Sequence, residues 1–301
     1  MQEVHIVTRS QRLLGHVAVF LTMCVWATTY ISTKRLLVGF EPIQILLVRT
    51  ILGLLVLTAL NPRRLVYKQA QDRYLVAAAG FCGLFLYYFL ENTALTYSTA
   101  SNVGVIVAAA PFFTFLASHL MLHEEKLRAQ YFLGFAVAMA GISMIVYSGT
   151  SKLHLNPIGD LLALTAIMVW ALYTVLTRII AKRGYPNLLV TRTMFLYALV
   201  GFLAANLLAR RPFPFASLLK TSYLPHFLFL GLVASAFCFL SWNFGLRTIG
   251  TIQSSFYLYL SPIITILFSS LFLGESLTPS AAIGTGLTLG GLLVSEYRRI
   301  R

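Results

Sequence analysis

The chain repeats itself once, and each copy holds an odd number of hydrophobic spans. A shift of 144 residues carries Trp26 onto Trp170, Lys34 onto Arg178 and Pro42 onto Pro186. A shift of 151 carries Asn92 onto Asn243, Leu95 onto Leu246, Pro111 onto Pro262 and Glu124 onto Glu275. With five spans per copy, the second copy must enter a membrane upside down relative to the first. Inverted repeats of this kind build carriers whose substrate site lies near the bilayer midplane, where the copies meet.

The composition fits a membrane chain. Of 301 residues, 58% are hydrophobic and 11% charged, against about 25% charged in soluble domains. A crossing helix needs roughly 20 mostly apolar residues. Such stretches are predicted at 13–33, 42–60, 73–92, 99–121, 129–148, 157–179, 187–208, 223–245, 252–273 and 278–296. Helices are expected because backbone exposed to lipid must bond within its own segment, and the spans lack the alternation of a membrane barrel. The expected fold is an all-α integral membrane protein of ten transmembrane helices in two inverted five-helix repeats. The repeats are residues 1–148 and 157–301, joined by a short polar linker, 149–156. Residues 1–12 are polar and basic, so the first span is expected to act as an uncleaved insertion signal.

The net charge of +14 sits mainly in short loops between spans. That placement favours membrane topology and anionic headgroups over nucleic acid. The side carrying the N-terminus holds fifteen Lys and Arg and the other side six, with Arg49 and Arg192 left inside spans. The excess predicts a multi-pass protein of a prokaryotic inner (plasma) membrane with both termini cytoplasmic. Cys24, Cys82 and Cys238 fall inside apolar spans and read as small core residues. There is no nucleotide-binding Walker motif, and Leu127 stands where a zinc-protease reading of His123-Glu124 needs a second His. The spans show no clustered acids, His/Asp pair or metal-ligand spacing. No enzyme activity, cofactor or metal is expected.

Polar groups inside spans are the functional candidates. Arg49 lies mid-span and suits a carboxylate or phosphate, or a pairing with Glu91. Arg192, near the start of its span, is placed to snorkel. Glu91 and His119 are candidate charge-pair or proton sites, and Glu91 equally suits a solvated interface. The repeat pairs Asn92/Asn243 and Asn102/Gln253 either bridge helices or contact a polar substrate. Trp26, Tyr30, Tyr88, Trp170, Tyr257 and Tyr259 are candidate cavity walls, suited to an amphipathic solute or a cation over π-faces. Pro111 and Pro262, read as mid-span, are candidate hinges. Glu124 and Glu275 end the fourth span of each copy and suit helix caps. Gly134/Ala138 and Gly286/Gly290, each four apart, let helices approach closely, inside the chain or across a dimer.

These residues in this order resemble the EamA branch of the drug/metabolite transporter superfamily. The resemblance runs through Cys24-Val25-Trp26-Ala27-Thr28, Arg49-Thr50, the run Glu91 to Tyr97, Ser101-Asn102, Pro111 and Leu122-His123-Glu124. It continues through Trp242-Asn243-Phe244-Gly245-Leu246, Pro262 and Leu273-Gly274-Glu275. His123 stands where such helix ends usually have Gly. The resemblance implies ten helices, a central cavity and secondary transport of small solutes. The expected function is export of amino acids or related amphipathic metabolites by alternating access, with a proton as one candidate coupling ion and a monomer or homodimer as the assembly. A lipid flippase or an uncoupled facilitator of the same fold are the alternatives.

Overall fold

The computed structural model describes residues 8–97, 103, 106–122, 129–147, 156–210, 213–218, 220–261, 263–264 and 279–296. The helices in chain order are α1 (Arg9–Leu36), α2 (Pro42–Leu60), α3 (Asp72–Tyr97), α4 (Ala110–Leu122) and α5 (Ala129–Tyr147). The second copy supplies α6 (Pro157–Lys182), α7 (Asn187–Ala209), α8 (Leu224–Thr248), α9 (Thr251–Phe256, continued by a 3-10 turn Tyr257–Tyr259) and α10 (Pro279–Glu296). Six of these, α1, α2, α3, α6, α7 and α8, are long and apolar enough to cross a membrane, and α4, α5 and α10 are shorter apolar helices.

Local chemistry sets the helix starts. Thr8 and Gln11 form a reciprocal capping box ahead of α1, which satisfies amides that have no partner inside the helix. Asn156 Oδ1 accepts from Ile158 N and Gly159 N at 3.1 Å ahead of Pro157, the first residue of α6; proline is favoured there because its missing N–H is not needed. Several helices outrun their apolar stretch. α1 takes in Arg9, Arg12 and Arg35 at its ends, and α3 continues past 92 to Tyr97. Glu91 therefore lies inside α3, at 7% exposure, and the solvated-interface reading falls.

The packing is inside-out relative to a water-soluble bundle. α1 exposes Leu13, Leu14, Val17, Phe20 and Leu21, and α7 exposes Leu196, Val200, Leu203 and Leu207. The interior buries Thr114, Ser118, Thr174, Thr191 and Ser235. Apolar surface of this extent marks contact with lipid or with another protein. α2 lies beside α7 and α5 along α10, while α1 packs on α8 and α3 on α6. The last two pairings are related by the repeat.

α5 and α10 approach to backbone contact. A side chain at Gly134 or Gly141 would collide with Ser295, Thr288 and the carbonyls of Gly291 and Gly284. The α5 pair Gly134/Ala138 thus packs inside the chain. A methyl group at Gly286 or Gly290 would meet no atom within 4 Å, so the α10 contact runs instead through Gly284, Thr288 and Gly291.

Two irregularities recur at equivalent places. α3 and α8 each widen into a π-helical stretch, Phe81–Leu86 and Phe229–Phe237. Such bulges gather at functional sites. α4 is preceded by a tight turn, with Ala109 N donating to Ile106 O at 2.9 Å and Phe112 N to Ala109 O at 3.0 Å. Pro111 thus opens the regular part of α4 rather than kinking its middle. The 3-10 turn of α9 falls at the matching position, ahead of Pro262, which lies outside the described residues, as do Glu124 and Glu275.

Candidate substrate site at the centre of the bundle

All three tryptophans of the chain stand in one triangle. The ring centroids of Trp26 (α1) and Trp170 (α6) are 5.6 Å apart, and Trp242 (α8) is 5.5 Å from each. Tyr87 packs on Trp170 at 4.8 Å, Tyr173 at 5.0 Å, and Phe239 on Trp26 at 5.5 Å. Each of these residues lies well inside its helix, so the cluster sits about half-way across the bundle. Gly83, in the π-helical stretch of α3, admits it: a side chain there would overlap the Tyr173 ring.

The indole donors are treated unequally. Trp26 Nε1 donates to Ala234 O at 2.9 Å, a carbonyl of the α8 π-helical stretch. Trp170 Nε1 and Trp242 Nε1 are buried with no acceptor among the described residues.

Arg49 reaches this cluster from α2 and is 5% exposed. Its Nε donates to Ser235 Oγ at 3.0 Å and its Nη2 to Tyr88 Oη at 3.2 Å, with the guanidinium 4.4 Å from the Tyr88 ring centre. These are neutral acceptors and a π-face. Arg49 has no carboxylate partner among the described residues. Nη1, with two N–H donors, makes no hydrogen bond to the described residues. Glu91 instead accepts from Tyr87 Oη at 2.8 Å, so the sequence alternative of an Arg49–Glu91 pair is not formed. A cation buried in a membrane protein is costly unless an anion or cavity water meets it.

A sequence model of the EamA-like transporter family matches residues 13–147 and again residues 157–297. The chain belongs to the EamA-like transporter family. This EamA protein is 26% identical to a protein of Archaeoglobus fulgidus named an uncharacterized transporter, over 94% of its own length and 98% of the relative's. It is 27% identical to a protein of Streptantibioticus cattleyicolor named a probable terminal-alkyne amino-acid exporter, over 94% and 93% of the two chains. A crystal structure shares its fold with a TM-score of 0.77 at 20% identity, covering 97% of this chain and 99% of the other. The EamA protein is therefore a multi-pass membrane transporter of the drug/metabolite transporter superfamily, not an enzyme.

The EamA fold brings Trp26, Arg49, Tyr88, Glu91 and Trp170 together and separates other candidates. Asn243 is spent on structure: its Oδ1 accepts from Tyr173 Oη at 2.5 Å and its Nδ2 donates to Thr191 Oγ1 at 2.9 Å, tying α6, α7 and α8. Asn92 Nδ2 donates to Tyr88 O at 2.8 Å on its own helix. Tyr259 belongs to a second cluster with Phe115, Tyr131 and Phe256, and with Pro111 it lines a partly open groove between α4, α5 and α9. Tyr257 Oη meets His16 Nδ1 at 3.0 Å. Gln253 is half-buried on the first turn of α9, and His119 is half-buried near the end of α4. Asn102 and the Tyr30 side chain lie outside the described residues.

Trp242, Tyr87, Ser235, Phe239 and Tyr173 complete the centre, although none of them is expected from the sequence as a cavity wall. One signal pointed to Trp242: the 151-residue shift places it opposite Glu91, and places Phe239 opposite Tyr88. The two copies differ where they meet, one offering a carboxylate and the other an indole.

The end of the bundle that holds the start of α1 is stitched across the repeats. Buried Asp72 accepts from Arg183 Nη1 and Tyr185 Oη. Lys68 Nζ donates to Arg183 O at 2.6 Å and Lys68 N to Tyr185 Oη at 2.7 Å. Arg192 Nη1 donates to Asn61 O at 2.7 Å, capping the C-terminal end of α2. This basic end also carries Arg63, Arg64, Lys182 and Arg247.

Proposed function

We propose that this protein exports an amphipathic monocarboxylate, an amino acid with an aromatic or apolar side chain, by alternating access. The observation that carries the reading is Arg49, a buried guanidinium beside the aromatic triangle with neutral partners only and an uncommitted Nη1. The substrate carboxylate takes the open edge of Arg49, and the apolar part enters between Trp26, Trp170 and Trp242. Planar N–H pairs match a carboxylate closely, and indole faces suit a ring or a branched chain. The relative named for amino-acid export supports this substrate class. The rings now pack on one another, so entry requires the two repeats, residues 1–148 and 157–301, to shift apart. In this reading the basic end faces the cytoplasm, which the excess of Lys and Arg supports.

The test is counterflow of labelled aromatic and branched amino acids in proteoliposomes. Wild-type protein exchanges them saturably. Arg49→Ala inserts but loses exchange, since removing one member of a buried charged contact costs about 2–5 kcal/mol, at least roughly 30-fold in affinity. Normal exchange by Arg49→Ala refutes the carboxylate site. Scrambling of labelled lipid would favour the flippase alternative, and flux without counterflow the uncoupled facilitator.

A further inference from the structure

α4 and α9 meet through hydroxyl groups. Thr114 and Ser118 stand one turn apart on α4, and Thr251 and Ser255 one turn apart on α9, with Ser254 alongside. All five are between 0% and 2% exposed. Ser118 Oγ and Thr251 Oγ1 bond each other at 3.0 Å. That bond aligns the end of α4 with the start of α9, so the helices run antiparallel from it toward the bundle centre. The next rung, about 6 Å further in by helical rise, brings Thr114 and Ser255 to the same level. Neither hydroxyl has a partner among the described residues, and nor does Ser254 Oγ. The Ser254 hydroxyl faces α8, within 3.5 Å of where a methyl on Gly245 would stand.

Two unpartnered buried hydroxyls at this crossing, with a third beside them on the α8 side of α9, leave hydrogen-bonding capacity that an ion can fill. Both helices are irregular just beyond it, α4 at the turn before Pro111 and α9 at Tyr257–Tyr259. Pro111 has no N–H to give the Val107 carbonyl. Irregular segments of membrane helices supply backbone carbonyls to monovalent coupling ions. Divalent ions call for carboxylates, and the described residues hold no group of three or more His, Cys, Asp and Glu. A set of neutral oxygens matches a hard monovalent cation.

We propose that Na+ binds where α4 and α9 meet α8, through the hydroxyls of Thr114, Ser254 and Ser255, above the Ser118–Thr251 rung. Occupancy ties α4, α9 and α8 together. On α8, Gly245 lies one turn from Trp242, which links the ion to the aromatic triangle. That coupling role rests on the transport reading above; the binding site does not.

The experiment uses the purified full chain in nanodiscs. ²²Na⁺ is retained by wild type and displaced by unlabelled Na+, and NaCl raises the melting midpoint by roughly 5 °C over equimolar choline chloride, with KCl giving no such shift. Ser255→Ala and Thr114→Val each melt normally in choline chloride and lose the Na+ shift. Wild type that retains no ²²Na⁺ and melts alike in both salts overturns the site, whatever the variants do. A full Na+ shift in both variants overturns the ligand assignment. Amino-acid counterflow indifferent to Na+ overturns the coupling role while leaving the carboxylate reading intact, and ²²Na⁺ binding without any amino-acid flux overturns the carboxylate reading and the coupling role with it, leaving the ion site standing.

Discussion

Asp72→Asn should loosen the basic end of the bundle. Asp72 is 2% exposed and its partner Arg183 has a side chain 37% exposed, so the pair is half in solvent and its Coulomb energy is screened. The amide keeps an acceptor for Tyr185 but loses the charged partner of Arg183. A hydrogen bond to a charged group contributes about 1.5–3 kcal/mol; discounted for the exposed guanidinium, about 1.5 kcal/mol remains. The Lys68 bonds to Arg183 O and Tyr185 Oη survive the change. Asp72 begins α3 in the first repeat, whereas Arg183 and Tyr185 lie between α6 and α7 in the second, so the contact exists only while these ends are together. Its loss therefore raises the ratio of open to closed basic ends about tenfold. Spin labels at Arg64 and Lys182, in a background without Cys24, Cys82 and Cys238, read this by double electron–electron resonance. A longer-distance population should grow in Asp72→Asn. An unchanged distance distribution with an unchanged melting midpoint would refute the view of this contact as an inter-repeat latch.

Other consequences are simpler. Since every tryptophan lies in the central triangle, saturating substrate should shift or quench most of the intrinsic fluorescence, and Trp242→Phe should alter the response of the remaining two; emission blind to a transported substrate would move the site elsewhere. Gly141→Leu should lower the melting midpoint through an overpacked α5–α10 contact costing about 1–3 kcal/mol, while Gly286→Ala, with open space around it, should leave it nearly unchanged. Asn243→Leu should destabilise the fold by about 1–3 kcal/mol, because it strands the buried Tyr173 hydroxyl; a midpoint equal to wild type would show that the α6–α7–α8 bridge is dispensable.

The order of the spans, the helical class and the inverted repeat are legible in the amino acids alone. A backbone in lipid has to bond within its own segment, so apolar length is nearly sufficient to place a helix. Arg49 is legible for the same reason, since a cation in mid-span stands out against its apolar neighbours. What apolar length does not carry is rotation. A span that is apolar all round gives no sign of which face meets another helix, so Trp242 and Tyr87 were indistinguishable from interface aromatics, and Tyr259 from a wall of the central site. The same gap hid the partners of the polar groups: Asn243 bridges three helices, Glu91 takes Tyr87 rather than Arg49, and Gly286 faces outward while Gly284 and Gly291 make the contact. The sequence by itself determined a duplicated membrane carrier with a charge at its centre. Only the tertiary structure decided which side chains surround that charge, because helix rotation and register are set by side-chain packing between helices and leave no period in the chain.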